Sequence, residues 1–313
     1  MSDVHVDRVY AILARWFPHH EISLDRAISG VSTPVFRARI AGKTCWVRIG
    51  EQTGERRDGE IAAHRALVAL DIPVPAVIRY EATPTELDRS LALTTHMSGI
   101  PLAELSPASG TTSLAEETGC ILARINRLPV HGFGWAYALS KSDLPVGEHA
   151  TRAAWCREYR DAAHEVRISG VLDVRTMLTV EQVIGSWAER PDHAVGTLAH
   201  GDFDTTHIYV DPDRRALTGI IDFGEIRGAD PLYDLGHLLL HDGEFNRPNL
   251  FPNVLNGYAK IGDLPEDAMK EIRIQAIVIG TRALARQLAR PPSPYRGWLI
   301  ARLDQLAQGN KEE

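Results

Sequence analysis

"LAHGDFDTTHIYVDPDRRALTGIIDFGE", residues 198–225, places Asp202 and Asp222 twenty positions apart, each after an apolar run, 195–199 and 217–221. Small or turn-prone residues follow each aspartate, and His207 stands five positions after the first. The two runs read as strands, with a hairpin between them turning at Asp211-Pro212-Asp213. A hairpin returns the chain, so Asp222 is expected beside the loop that holds Asp202 and His207. Carboxylates and an imidazole directed at one spot are costly unless a proton or a cation resolves the repulsion.

Working outward, residues 35–40 and 44–49 read as strands joined through Ala41-Gly42-Lys43. Residues 59–70 read as a helix, and 72–82 and 90–97 as further strands. Val6, Val9, Tyr10, Leu13 and Phe17 recur at helical spacing before Pro18, which predicts an amphipathic opening helix and not a signal peptide. Past a connector near Thr95 to Gly99 the character changes. Leu114, Thr118, Ile121, Leu122, Ile125 and Leu128 form one helical stripe, with Ser113 and Glu116 in a capping-box pattern at its start. Residues 151–189 and most of the chain from 230 onward read as helical, broken at Pro291-Pro292. These patterns predict an α+β chain. A small antiparallel β lobe with one inserted helix spans 1–97, and a larger, mainly helical lobe spans 98–313.

Composition narrows the function. Of 313 residues, 34 are basic and 41 acidic, a net charge of -7 without the basic footprint that nucleic acid requires. No run of eighteen apolar residues occurs, so no membrane partner is expected. Cys45, Cys120 and Cys156 are too few and scattered for a disulfide framework, and no CxxC pair offers a zinc site. They are expected to be buried, reduced thiols of a cytoplasmic protein. His237 and His241 stand four apart on a predicted helix, but "HLLLH" lacks the glutamate of a zinc-protease motif.

A carboxylate on a hard divalent ion, with a second carboxylate free to accept a hydroxyl proton, is the equipment of phosphoryl transfer. "HGDFDTTH" and "IIDFGE" occupy the places of an H-G-D-x-x-x-x-N motif and a following I-D-[FW] motif, and "GADPLYDLGHLLL" (228–240) is similar to a G-D-P-x-x-D-L segment. On these residues the chain resembles the aminoglycoside phosphotransferase and choline kinase family, relatives of protein kinases. The resemblance implies a bilobal protein-kinase-like fold, with nucleotide binding in the first lobe and catalysis and substrate binding in the second. It implies ATP or GTP as phosphoryl donor, Mg²⁺ or alternatively Mn²⁺ as the ion, and a small-molecule acceptor. Asp202 would be the catalytic base, Asp222 and His207 the metal ligands, and His200 and Asp234 braces of the loop. Arg48 would meet the phosphates, held by Glu60. Ser32 and Thr33, beside Gly30, would fold over the phosphates, and backbone groups of Thr95 to Met97 would bind a purine edge. An ordinary charge pair at Arg48 and Glu60, and an ordinary turn at 29–36, stay open as readings.

The pattern departs from the family at His207, where asparagine is usual, although some macrolide-directed members share a histidine there. Imidazole suits borderline ions better than Mg²⁺. The acceptor expected from the resemblance is an aminoglycoside-like or related antibiotic, as in resistance enzymes. A kinase of a choline, amino-alcohol or sugar-type metabolite and a nucleotide-binding pseudokinase are the alternatives. Asp242, Glu244 and Glu225 are candidates to face a polyamine, and Trp155, Tyr159, Phe245, Phe251 and Tyr258 to line a more apolar pocket. A metal-dependent phosphoesterase would need more ligands than the one spare carboxylate, Asp204.

Overall fold

The computed structural model describes residues 6–26, 35–50, 55–105, 110–141 and 144–309. Ser32 and Thr33 therefore lie outside the described residues. Two units result. The first comprises Met1–Ser98, Tyr137–Pro145 and Thr218–Ile221, and the second Gly99–Ala136, Val146–Leu217 and Asp222–Glu313.

The first unit is built on an antiparallel sheet of β1 (Ile22–Arg26), β2 (Val35–Ile40), β3 (Lys43–Ile49), β4 (Val77–Glu81) and β5 (Leu91–Thr95), in the order β1-β2-β3-β5-β4. Ala41 and Gly42 both have positive φ, 50° and 77°, as a two-residue β2–β3 hairpin of the tightly twisted kind demands. Alternation along β2 and β3 sends Phe36, Ala38, Cys45, Val47 and Ile49 to one face. Against that face packs the helix α1 (Val6–Trp16). Its buried residues are Val9, Ile12, Leu13 and Trp16, while Val6 and Tyr10 are exposed. The contact stripe thus lies to one side of the one expected, because Ile12 and Trp16 continue the same period. The inserted helix α2 (Asp58–Ala69) follows β3 and buries Glu60, Ile61, Ala63, His64 and Leu67.

The second unit is mainly helical: α3 (Thr111–Ile125), α4 (Arg152–Ser169), α5 (Val174–Ala188), α6 (Tyr233–His241), α7 (Phe251–Ala259), α8 (Ala268–Leu288) and α9 (Pro294–Gln308). Gly170 in the left-handed region ends α4, and Asp173 caps α5 by accepting from the Arg175 and Thr176 amides. The capping box expected at Ser113 and Glu116 does not form. Helix α3 already starts at Thr111 after a left-handed Gly110, Ser113 Oγ donates to the Gly110 carbonyl, and Glu116 pairs with Lys260. Its stripe is nonetheless buried from Leu114 to Ile125. Trp155, Tyr159, Trp187 and Phe133 form the aromatic centre of the main core. At its polar edge Asp230 accepts from Arg152 Nε at 3.0 Å, Trp187 Nε1 at 2.7 Å and Gln275 Nε2 at 3.2 Å. That cluster joins α4, α5 and α8 to the strand Arg227–Ala229.

Two helix pairs touch backbone to backbone through glycines. A Cβ on Gly119 of α3 would lie 2.0 Å from the Val254 carbonyl oxygen, and one on Gly257 of α7 would lie 1.8 Å from that of Glu116. Gly236 of α6 meets α8 in the same way, 2.9 Å from the Ala276 nitrogen. No helix among the described residues is long and apolar enough to cross a membrane. Cys45 and Cys156 are buried, whereas Cys120 is only half-buried, and all three are free thiols.

Gly257→Ala is expected to destabilise the protein by about 1–3 kcal/mol through overpacking. Gly185→Ala, in α5 with open space around the new methyl, is expected to stabilise by about 0.5–1 kcal/mol. Urea unfolding of the two variants beside the wild type checks the pair, and equal midpoints would contradict the close α3–α7 approach.

Candidate active site

The run 195–199 is a strand, Val195–Ala199, but it pairs with Arg227–Ala229 and Pro129–His131, not with the hairpin. The hairpin strands are Ile208–Asp211 and Ala216–Ile220, in a separate small sheet with Ile100–Pro101. Its turn is held by Asp211 Oδ1, which accepts from the Asp213 and Arg214 amides at 3.0 Å. The two aspartates therefore follow strands of different sheets, and the loop geometry brings them together.

Asp234, at the start of α6, builds that geometry. Its fully buried carboxylate accepts from the amides of His200 and Gly201 and from Asn126 Nδ2, each at 2.9 Å. Gly201 takes φ +88°, and a Cβ there would lie 1.9 Å from the Glu225 carbonyl oxygen, so the backbone of the Asp202 loop runs against the Asp222 segment. His200 is fully buried between Phe203 and Phe223, and its Nδ1 accepts from the Asp202 amide at 3.3 Å. Asp222 itself adopts the left-handed region (φ 63°, ψ 57°), a strained conformation for a non-glycine residue of the kind that clusters at functional sites.

His207 lies between the aspartates. Its Nδ1 is 2.8 Å from the Asp202 backbone oxygen, and its Nε2 is 3.8 Å from Asp222 Oδ2. A carbonyl can only accept, so Nδ1 carries the hydrogen and Nε2 presents its lone pair toward Asp222. A metal-binding histidine is commonly oriented this way. Two donors each about 2.0–2.2 Å from one ion can stand up to about 4.2 Å apart. The His207 and Asp222 atoms fall within that limit and fit a divalent ion, with one hard oxygen and one borderline nitrogen donor. Burial opposes charging His207, but Asp202, Asp204 and Asp222 outweigh it and raise its pKa above the ordinary value. Asp204 does not join the pair. It accepts from the Thr206 amide at 2.5 Å and meets Arg247 Nη1 at 3.4 Å. Against the effect of burial, His207 and the Thr206 hydrogen bonds hold its carboxyl below the usual range.

His237 is the residue that sequence reasoning missed. Its Nδ1 is 3.1 Å from the Phe203 carbonyl oxygen, and its Nε2 is 3.3 Å from Asp202 Oδ1. Burial and the neighbouring His241 push it down to about 4, so it is neutral at pH 7 with its lone pair toward the Asp202 carboxylate. The spacing held the signal: His237 is one turn beyond Asp234, on the helix face that braces this loop.

Beside Asp202 opens a pocket of about 200 Å³, lined also by Glu225, Arg227, His241, Arg282 and Arg286. Of the acidic residues expected to face a polyamine, Glu225 lines this pocket but is paired there with Arg227, and Asp242 and Glu244 are engaged with other partners. Asp242 accepts from the amides of Leu250 and Phe251, Glu244 pairs with His241 and Arg247, and Glu225 pairs with Arg227 at 2.6 Å. The expected aromatic lining is also absent from this pocket. Trp155, Tyr159, Phe251 and Tyr258 are buried in packing, and Phe245 is exposed elsewhere. Bulky apolar side chains on inward helix faces were filling core space.

In the first unit, Arg48 on β3 points its Nη1 at Glu60 Oε1, 3.5 Å away. Glu60 is buried, so this is not a solvated surface pair. Its other oxygen takes Arg57 Nη1 at 2.9 Å, a second arginine that the sequence reading had not placed there. The Thr95 amide donates to Ala76 O at 2.9 Å, and Thr95 Oγ1 accepts from the Ala76 amide. Met97 packs its sulfur and methyl beside Gly219.

The model of the phosphotransferase enzyme family matches residues 24–271, and the chain belongs to that family. Its fold is the bilobal, kinase-like one of solved phosphotransferases. Aminoglycoside phosphotransferase APH(4)-Ia, in a ternary complex with ADP and hygromycin B, superposes with a TM-score of 0.70 at 17% identity, covering 97% of this chain and 99% of that one. A putative aminoglycoside phosphotransferase from Ralstonia eutropha gives 0.65 at 14%, covering 97% and 98%. Macrolide 2'-phosphotransferase MphH from Brachybacterium faecium gives 0.61 at 17%, covering 96% and 98%. No curated protein matches the chain.

A metal ion bound at His207 Nε2 would have to displace the proton that the three carboxylates favour there, so Mn²⁺ affinity is expected to fall by up to about tenfold per pH unit below the raised His207 pKa. Mn²⁺ titration followed by electron paramagnetic resonance checks this. His207→Asn is expected to flatten the profile, and an unchanged slope in that variant would remove His207 from the ion site.

Proposed function

We propose that this phosphotransferase moves the γ-phosphoryl group of ATP or GTP to a hydroxyl of a small acceptor held in the pocket beside Asp202. The observation that carries the reading is the grouping of Asp202, His207 and Asp222, with His207 within 4 Å of both carboxylates. Solved relatives of this fold have been captured with ADP or AMP-PNP beside hygromycin B, which supports a nucleotide donor here.

In this reading Asp222 and His207 Nε2 would hold a divalent ion, Mg²⁺ or Mn²⁺, which would supply positive charge against the nucleotide's phosphates. Arg48, held by Glu60, meets the α- and β-phosphates. Asp202 orients the acceptor hydroxyl and takes its proton as the new P–O bond forms. The protonated carboxyl can then donate to His237 Nε2, whose lone pair faces it. That contact turns a repulsive pair of acceptors into a hydrogen bond and favours the proton-transferred state. Backbone groups just past Thr95, whose own amide is engaged, are the candidates for a purine edge, on His96 and Met97. The first unit thus serves the nucleotide, and the second carries catalysis and the acceptor.

The acceptor is better read as a metabolite-sized alcohol than as an antibiotic. Pockets for drug-sized ligands run to roughly 300–1,000 Å³, and this one is about 200 Å³. Of the acidic side chains offered for a polyamine, Asp242 and Glu244 are committed to other partners, and Glu225 in the pocket is paired with Arg227.

Asp202→Asn is expected to lower kcat by about 10²–10⁴-fold while nucleotide affinity, read by calorimetry, stays within a few fold. Retention of the wild-type rate would contradict the base assignment. His207→Asn should keep turnover with Mg²⁺, and His207→Ala should lose most of it with both Mg²⁺ and Mn²⁺. Full activity of the alanine variant would mean that Asp222 works without this histidine.

A further inference from the structure

The pocket beside Asp202 is unevenly charged. Arg227, Arg282 and Arg286 line it, against the carboxylates of Asp202 and Glu225. Arg227 is committed to Glu225, with Nη2 at 2.6 Å, and to the Tyr233 hydroxyl, with Nη1 at 3.0 Å. Arg282 is tied by one nitrogen, Nη2, to Glu158 Oε2 at 2.7 Å. Arg286 stands one turn further along α8 and forms no ion pair with any carboxylate among the described residues. Both α8 guanidiniums lie against the Trp135 ring, with Cζ at 5.3 and 5.4 Å from its centroid. The indole thus holds two like charges near each other without neutralising either. Partial desolvation, and then Arg282, press the Arg286 guanidinium below its ordinary value, which marks a site where an added anion relieves repulsion. A carboxylate or phosphate group suits such paired guanidinium forks.

We infer that the acceptor is an anionic alcohol: its hydroxyl meets Asp202, and a carboxylate or phosphate group on the same small molecule binds Arg286 and Arg282 of α8. The inference rests on the phosphotransfer reading above and names its substrate class. An acceptor of this kind explains why a pocket next to an acidic base carries an excess of arginine, and why a cationic acceptor is disfavoured there. The reaction class that supplies the substrate is then one that leaves a free hydroxyl on a small acid or phosphate monoester.

The test follows nucleotide consumption, with ATP or GTP and Mg²⁺, by wild type, Arg286→Gln and Asp202→Asn. The acceptors are matched sets of hydroxycarboxylates and phosphorylated alcohols, their neutral esters or parent diols, amino-alcohols and aminoglycosides. The best acceptor should come from an anionic set, at least about tenfold above its neutral counterpart in kcat/KM, and Arg286→Gln should raise its KM by at least about tenfold with a much smaller change in kcat. The carboxylate and phosphate arms decide between the two groups. A neutral, amino or aminoglycoside compound as the best acceptor, or an anionic acceptor with the same KM in Arg286→Gln, would overturn the inference. Arg286 is exposed on α8, so the variant is expected to fold, and its melting curve verifies that. If no acceptor raises consumption by the wild type above that by Asp202→Asn, the phosphotransfer reading fails instead. The anion site is then judged by calorimetry with inorganic phosphate alone. Binding that weakens at least tenfold in Arg286→Gln upholds it, and equal binding or none rejects it.

Discussion

A carboxylate sealed from water must have its charge met by donors, and Asp234 has three: the amides of His200 and Gly201 and the side-chain amide of Asn126. That arrangement ties the loop carrying Asp202 to the first turn of α6 and the end of α3. Removing any donor would leave a buried charge under-satisfied, so the loop has one economical position. Gly201 completes the constraint, because only a residue without a Cβ lets the loop backbone pass the Glu225 carbonyl. With the loop fixed, His200 packs at a tilt against Phe223, His207 spans toward Asp222, and His237 faces Asp202 from the next turn of the same helix.

The two histidines beside Asp202 are set for opposite tasks by their surroundings. Both give Nδ1–H to a backbone carbonyl and so present Nε2. Among three carboxylates, His207 is drawn toward the charged form and suits an ion that replaces the proton. His237, buried beside His241, is driven to the neutral form and can only accept. One ring type, each giving Nδ1–H to a backbone carbonyl, is thus pushed in opposite directions beside one aspartate, through differences in burial and neighbouring charge.

Much of the molecule was legible in the residues. The strand runs at 35–40 and 195–199, the turn at Asp211, the break at Pro291-Pro292 and the buried face of α3 all follow from local periodicity and turn chemistry, whereas the break at Gly170 inside the helical stretch 151–189 was not read. The misreadings share a cause. On α1, the stripes Val6-Tyr10 and Ile12-Trp16 flank the same line of Val9 and Leu13, and the sheet beneath selected the second. Ser113 and Glu116 matched a cap locally, but a left-handed Gly110 started the helix earlier, and Lys260 of α7 claimed the glutamate. Of the aromatics placed at an acceptor pocket, Trp155, Tyr159, Phe251 and Tyr258 went to the core, since apolar spacing alone does not distinguish a cleft from a helix interface.

Short-range pattern determined which segments became strands and helices, and that Asp202, His207 and Asp222 would share a loop region, because conformational preference and turn chemistry act over a few residues. The encounters that give the region its chemistry join positions far apart in the chain: Asn126 with Asp234, Asp202 with His237, and Trp135 with Arg282 and Arg286. Such pairs arise only when helices settle at distances and crossing angles set by close contacts like Gly119 on Val254 and Gly236 on Gln275. Packing over the whole unit decides them, which is why no local stretch of residues announced them.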